Sequence, residues 1–286
     1  MPDIQRVGVV GAGLMGSGIA EVHARAGLDV VVTEVSQPAL DAGKGRVEKS
    51  LRRAVRSGKL TEAKADAALG RITFTTDTAA FADRDLVVEA VLEQEQAKVE
   101  VFRSLDKIVE REDAVLASNT SSIPIMKLGM ATERPQQVVG IHFFNPVPVL
   151  PLVELVPSLL TGDKTADRAE AHICDALGKT VIRSQDRAGF IVNALLVPYL
   201  LSAIRMFESG FASAEDIDQG MEKGTAHPMG PLRLADLIGL DTIKAIADSM
   251  YAEFKEPLYS SPPLLLRMVD AGLLGKKTGR GFYGYD

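Results

Sequence analysis

The chain has 286 residues, a formal net charge of −6 and a single cysteine, with 46% hydrophobic and 24% charged residues. That length suits one large or two modest domains, and the acidic balance argues against bulk nucleic-acid binding, which needs a basic footprint. One thiol permits no intramolecular disulfide, and neither a signal segment nor a run of about 18 apolar residues is present, so a cytoplasmic protein with no membrane span is expected.

Val7–Val10 reads as a first strand, followed by glycine-rich residues and a helix to about Ala26. Asp29–Thr33 reads as a second strand and Gln37–Leu69 as one long charged helical stretch. Further strands are expected at Asp85–Ala90, Ala114–Ser118, Val138–His142 and Leu152–Leu155. Alternation of short apolar runs with helical patterns implies a mostly parallel sheet covered on both faces. Ala169–Leu177 reads as helical, and Cys174 within it has no activating neighbour, so a buried structural thiol is expected. From Gly189 onward the patterns are helical: Phe190–Ser209, Ala214–Lys223, Pro231–Phe254 and Pro263–Ala271. The expected fold class is therefore α/β, a Rossmann-like sheet domain over residues 1–184, followed by an all-α domain over residues 185–286.

Val7-Gly8-Val9-Val10-Gly11-Ala12-Gly13-Leu14-Met15-Gly16 is a strand running into G-x-G-x-x-G. Gly11 allows the tight turn, Gly13 lets the backbone approach a pyrophosphate, and Gly16 lets the helix pack close to the strand. The phosphates would lie on the helix N-terminus, where unpaired N–H groups favour an anion. Glu34, just after the second strand, stands where an acidic residue takes the adenosine ribose hydroxyls, and its charge would repel a 2′-phosphate. NAD is therefore expected over NADP.

Between Val47 and Leu60, helical spacing gathers Lys49, Arg52, Arg53 and Arg56 on one side, opposite Val47, Leu51, Ala54 and Val55. This face is either a solvated surface or a capture site for a multiply charged ligand such as coenzyme A. Ser118-Asn119-Thr120-Ser121-Ser122 and His142-Phe143-Phe144-Asn145-Pro146 both follow apolar strands, and ligands of open α/β sheets bind beyond carboxyl strand ends. His142 is either a structural or a catalytic imidazole by position alone. Glu154 stands among Leu152, Val153, Leu155 and Val156, where a carboxylate needs a partner. A histidine is the natural one, since the carboxylate fixes its tautomer and supports the imidazolium. Asn193, opening the helical part, is either a helix cap or a ligand contact.

These motifs, with Gly189-Phe190-Ile191-Val192-Asn193, Pro228-Met229-Gly230-Pro231 and the tail from Gly275 to Tyr283, resemble the L-3-hydroxyacyl-CoA dehydrogenase family almost end to end, most of all its bacterial 3-hydroxybutyryl-CoA branch. The resemblance implies reversible oxidation of 3-hydroxyacyl-CoA to 3-oxoacyl-CoA with NAD and no metal. It makes His142 the general base, Glu154 its orienting acid, Ser121 a contact to substrate hydroxyl and nicotinamide, and Asn193 an amide that holds the acyl-CoA. Gly11, Ala12, Gly13, Leu14, Met15, Gly16, Glu34, Glu93, Lys98, Asn119, Ser121, Asn145 and Lys277 fall on its NAD positions. Ser50 matches a CoA contact, with Arg53 and Arg56 on the same helix. A family lysine for CoA falls on Ser57, which leaves Arg56 or Lys59 to replace it. The substrate would lie between the two domains, and the helical domain would form a homodimer. Two rival readings stay open: a related dehydrogenase of free hydroxy or sugar acids, and a non-catalytic NAD-binding protein.

Overall fold

The structure, a computed structural model, describes residues 3–285. The chain divides into two compact units, residues 1–186 and 187–286, each with its own apolar core.

The first unit is built on eight strands: β1 (Arg6–Val10), β2 (Asp29–Thr33), β3 (Ile72–Thr75), β4 (Leu86–Glu89), β5 (Val115–Ser118), β6 (Val138–Phe143), β7 (Leu152–Pro157) and β8 (Thr180–Arg183). Their order across the sheet is β3-β2-β1-β4-β5-β6-β7-β8. All neighbours run parallel except β6 and β7. The central strands are buried on both faces, by Val7, Val9, Val30, Val32, Leu86, Val88 and Val115 on one side and by Val31, Val87 and Leu116 on the other, the β-branched-rich composition of a covered parallel sheet. The covering helices are α1 (Leu14–Arg25), α2 (Gln37–Arg56), α3 (Glu62–Leu69), α4 (Glu95–Ile108), α5 (Ile125–Gly129) and α6 (Asp163–Ala171). Strand order reverses direction between β1 and β4, the switch point where such sheets open a crevice at their carboxyl edge.

Several expectations need correction. The helical stretch over Gln37–Leu69 is two helices, because Gly58 turns the chain with φ +71° after Ser57 and the Thr61 hydroxyl caps the start of α3. β3 and β8 are additional strands. Helix α6 continues into a π-turn at His172–Ala176, and this wider turn leaves Cys174 exposed rather than buried.

Behind β6 two imidazoles stack. His23 on α1 and His172 in the π-turn lie 5.2 Å apart and 17° from parallel, with Phe143 edge-on to His23. His23 Nδ1 donates to the Ile19 carbonyl at 2.7 Å, whereas His23 Nε2 and both His172 nitrogens have no hydrogen-bond partner among the described residues. Burial pushes His23 down to about 4 and His172 to about 3; Lys179 adds to the first effect, His23 and Arg168 to the second.

The second unit packs α7 (Val192–Glu208), α8 (Ala214–Gly224), α9 (Pro231–Ile238), α10 (Leu240–Phe254) and α11 (Pro263–Asp270) around Leu200, Leu201, Ile204, Leu232, Leu240, Ile243, Met250 and Leu265. The helix expected over Pro231–Phe254 is broken at Gly239, whose φ is +104°. Two buried carboxylates tie the tail down: Asp236 accepts the Phe282 and Tyr283 N–H groups and the Tyr285 hydroxyl, and Asp218 accepts the Tyr283 hydroxyl.

Candidate active site

The glycine loop leaves β1 at the switch point. Gly11 donates its N–H to the Thr33 carbonyl at 2.9 Å and holds φ +95°. A Cβ on Gly16 would stand 1.8 Å from the Gly11 carbonyl oxygen, so this glycine serves helix–strand packing. A Cβ on Gly13 would meet nothing within 4 Å. Packing does not demand glycine there, and the open face is what close approach of a phosphate requires. The Ala12 carbonyl is clamped by the Ser17 hydroxyl at 2.8 Å and Arg46 Nη1 at 3.1 Å. Glu34, at the end of β2, accepts the Ala12 N–H at 2.8 Å and the Val35 N–H at 3.1 Å. Leu14, Val35 and Leu92 are exposed apolar side chains just beyond β1, β2 and β4, where apolar surface would be covered by a bound nucleotide. Met15 is half-buried behind the loop.

Across the switch point, a buried polar network joins β4, α4 and β5. Glu89 and Lys98 are 0% and 1% exposed. Glu89 Oε1 accepts Lys98 Nζ at 2.6 Å and the Val91 N–H at 2.7 Å, and its Oε2 accepts the Ser118 hydroxyl at 2.6 Å. Lys98 also reaches Glu93 Oε2 at 3.3 Å. Glu93 Oε1 accepts the Thr120 hydroxyl at 2.5 Å, the Ser121 N–H at 3.0 Å and the Ser122 hydroxyl at 2.9 Å. Burial opposes ionisation of Glu93, but Lys98 and these three donors outweigh it and hold the carboxyl below the usual range. The hydroxyl of Ser121 makes no hydrogen bond among the described residues.

One strand further on, antiparallel pairing sets His142 of β6 directly opposite Glu154 of β7. Both side chains are buried, and His142 Nδ1 meets Glu154 Oε2 at 2.7 Å. A carboxylate only accepts, so Nδ1 carries the proton and Nε2 of the neutral ring keeps its lone pair. Phe144 packs edge-on to the imidazole at 4.6 Å. Asn119 Oδ1 accepts the Phe143 N–H at 2.9 Å, which ties the end of β5 to the end of β6. Asn145 is exposed just past β6, before Pro146.

On α2, Val47 and Leu51 are buried while Lys49, Arg52, Arg53, Arg56 and Ser57 are exposed. Ser57 closes the helix with its hydroxyl on the Ala54 carbonyl. Ser50 is half-buried near Glu21, a carboxyl of α1 whose pKa burial raises although Ser50, Arg25 and Arg53 oppose the rise.

Asn193 and Lys277 lie in the second unit. Asn193 is the second residue of α7, whose cap position is Ile191, so it does not cap the helix. The turn before it holds Gly189 at φ +81° and, unusually for a bulky residue, Phe190 at φ +47°. Lys277 pairs with Asp241 at 2.5 Å.

Comparison with known proteins shows the family. The family described as 3-hydroxyacyl-CoA dehydrogenase, NAD binding domain, matches residues 6–187, and its C-terminal domain matches residues 189–285. The chain belongs to the 3-hydroxyacyl-CoA dehydrogenase family. It is an NAD-dependent oxidoreductase. It is 64% identical to a 3-hydroxybutyryl-CoA dehydrogenase of Mycobacterium tuberculosis, covering 99% of both chains. It is 43% identical to the human mitochondrial hydroxyacyl-coenzyme A dehydrogenase, covering 99% of this chain and 91% of that one. Among solved structures, an (S)-3-hydroxybutyryl-CoA dehydrogenase of Ralstonia eutropha superposes with a TM-score of 0.93 at 45% identity, covering 99% of this chain and 100% of that one.

For this family member the sequence reading missed Glu89 and Arg46, and it named Ser118 and Thr120 only within their strand-end segment. Glu89 carries the same signal as Glu154, a carboxylate ending the apolar run Leu86-Val87-Val88, and the same demand for a partner would have found it. Arg46 offers no signal, since its bond to Ala12 depends on how α2 packs on the glycine loop.

Proposed function

We propose that the chain interconverts (S)-3-hydroxyacyl-CoA and 3-oxoacyl-CoA with NAD(H), with 3-hydroxybutyryl-CoA and acetoacetyl-CoA as the short-chain pair. The observation that carries this reading is the buried His142–Glu154 pair at the same sheet edge as the glycine loop. NAD, when bound, supplies the nicotinamide that accepts hydride from C3. His142 Nε2 takes the proton of the substrate hydroxyl, and Glu154 stabilises the resulting imidazolium through Nδ1. In the reverse direction the imidazolium returns that proton to the carbonyl oxygen. Ser121 contributes a hydroxyl to the substrate hydroxyl and the nicotinamide, and Asn193 an amide to the acyl-CoA.

In the same reading Gly11, Ala12, Gly13, Leu14, Met15 and Gly16 cradle the pyrophosphate and Glu34 takes the adenosine ribose. Glu93, Lys98, Asn119, Asn145 and Lys277 serve the rest of the cofactor. Ser50, Arg53, Arg56 and the segment at Ser57 meet CoA, whose phosphates suit the exposed guanidinium groups. In the same reading the helical unit forms a homodimer. No helix among the described residues is long and apolar enough to cross a membrane; the reading places the enzyme in the cytoplasm.

The test is NADH-linked reduction of 3-oxoacyl-CoAs from C4 to C16, compared by kcat/KM, in the wild type and in His142→Ala. Saturable turnover in the wild type, lost in His142→Ala with NADH binding retained, is the expected result. Turnover of free hydroxy acids with no acyl-CoA turnover overturns the substrate, and wild-type kcat in the variant overturns the base.

A further inference from the structure

The dinucleotide site straddles the switch point, with Glu34 at the end of β2 on one side. Its other half therefore faces the ends of β4, β5 and β6, where Glu89, Lys98 and Glu93 sit. This cluster opposes two carboxylates to one ammonium and so carries one excess negative charge. The lysine charge is not shared evenly between them. Lys98 lies 2.6 Å from Glu89 and 3.3 Å from Glu93, and Glu89 is wholly buried whereas the Glu93 side chain is 36% exposed. Glu89, the nearer and fully buried partner, thus takes the larger share of the lysine charge and leaves the more exposed Glu93 only partly compensated. Three donors from Thr120, Ser121 and Ser122 hold its Oε1 in place. A neighbouring ion pair, Lys127 with Glu95 at 2.7 Å, is neutral as a unit and does not offset it.

A nicotinamide ring is cationic when oxidised and neutral when reduced, so a fixed anion beside it acts on one form only. We propose that Glu89 is a positioning residue that sets the redox preference of the cofactor site: by engaging Lys98 it keeps Glu93 net negative, which favours NAD+ over NADH. This rests on the reading of Glu93, Lys98 and Ser121 as cofactor contacts. In Glu89→Gln, Lys98 has only Glu93 for a counter-charge, the cluster becomes neutral, and the preference is lost. Glu93→Gln neutralises the cluster from the other end.

The test is direct measurement of both dissociation constants on the full-length protein: NADH by fluorescence titration, NAD+ by displacement. Glu89→Gln and Glu93→Gln are each expected to weaken NAD+ relative to NADH by about 5- to 10-fold, the size expected for one charge acting over several ångströms in a partly screened site. Ser118→Ala removes a hydrogen bond to Glu89 but no charge, so the NAD+/NADH ratio is expected to stay within about twofold of wild type even if both affinities fall. A merely structural role for Glu89 moves both constants together. If Glu89→Gln leaves the ratio unchanged, the proposal is wrong, whatever Glu93→Gln does. If Glu89→Gln does not fold, Glu93→Gln tests the charge that Glu89 leaves on the cluster, and an unchanged ratio there overturns the proposal. A wild type that binds neither nucleotide would instead overturn the cofactor-site reading.

Discussion

Replacing His172 with Phe keeps a ring stacked on His23 but removes a buried group that titrates. In the folded chain burial holds His172 at about 3 and His23 at about 4, against an ordinary value of 6.5. Above pH 6.5 both rings are neutral in the folded and unfolded chain, and neither affects stability. Below it the unfolded chain takes up protons that the folded chain refuses, so stability is lost as pH falls towards the folded values. The loss is about 1.4 kcal/mol per pH unit for each ring, hence about 2 kcal/mol each, or about 4 kcal/mol together, at pH 5. Urea melts followed by circular dichroism at pH 8, 6 and 5 measure this. The wild type is expected to lose about 2 kcal/mol more than His172→Phe between pH 8 and pH 5, and about 4 kcal/mol more than the variant with both rings replaced. Contributions from other groups are common to all three proteins and cancel in the difference. Parallel pH dependences for wild type and variants would refute the burial argument, whatever the absolute stability at pH 8.

Glu154→Gln keeps the shape beside His142 but removes the charge that supports the imidazolium; kcat is expected to fall roughly 10²- to 10⁴-fold with KM for acetoacetyl-CoA within a few-fold. An unchanged kcat would assign Glu154 a packing role only. Gly16→Ala forces a Cβ against the Gly11 carbonyl, so thermal melts should show a loss of roughly 3 kcal/mol along with weaker NADH binding. Replacing Arg53 and Arg56 with Ala together should raise KM for acetoacetyl-CoA about tenfold and leave NADH affinity unchanged; equal kinetics would make the α2 face a solvated surface. Glu34→Ala should lower the preference for NAD over NADP, read as a ratio of kcat/KM values.

The sheet was legible where strands are central and failed where they are edges. Val7–Val10 and Asp29–Thr33 are dense in valine because helices cover both faces. β3 and β8 close the two ends of the sheet, and Thr73, Thr180 and Arg183 face solvent, which dilutes the apolar pattern. The two helix breaks at Gly58 and Gly239 escaped because apolar spacing resumes on the far side, and a positive φ leaves no trace in periodicity. In the site, the glycine loop and the demand of Glu154 for a partner are local chemistry and could be read. The Ser118, Thr120 and Ser122 hydroxyls that bond Glu89 and Glu93, and the His23–His172 stack, join residues distant in sequence, through adjacency of β4 with β5 and packing of α1 on the π-turn. The misjudged Cys174 follows from that same π-turn, which rotates the thiol outward from an otherwise regular helix.

The facing positions of His142 and Glu154 on an antiparallel ladder make their spacing discrete. A slip by one residue sets Val153 or Leu155 against His142 and turns Glu154 to the opposite face of the sheet. The connection from Phe144 to Pro151 therefore works as a ratchet with no intermediate stops. Extra residues at its exposed tip, around Pro146, can bulge outward and leave the pairing alone. A change that advances the register removes the proton acceptor's support in one step, so variants of this connection should sort into fully active and inactive, with few between.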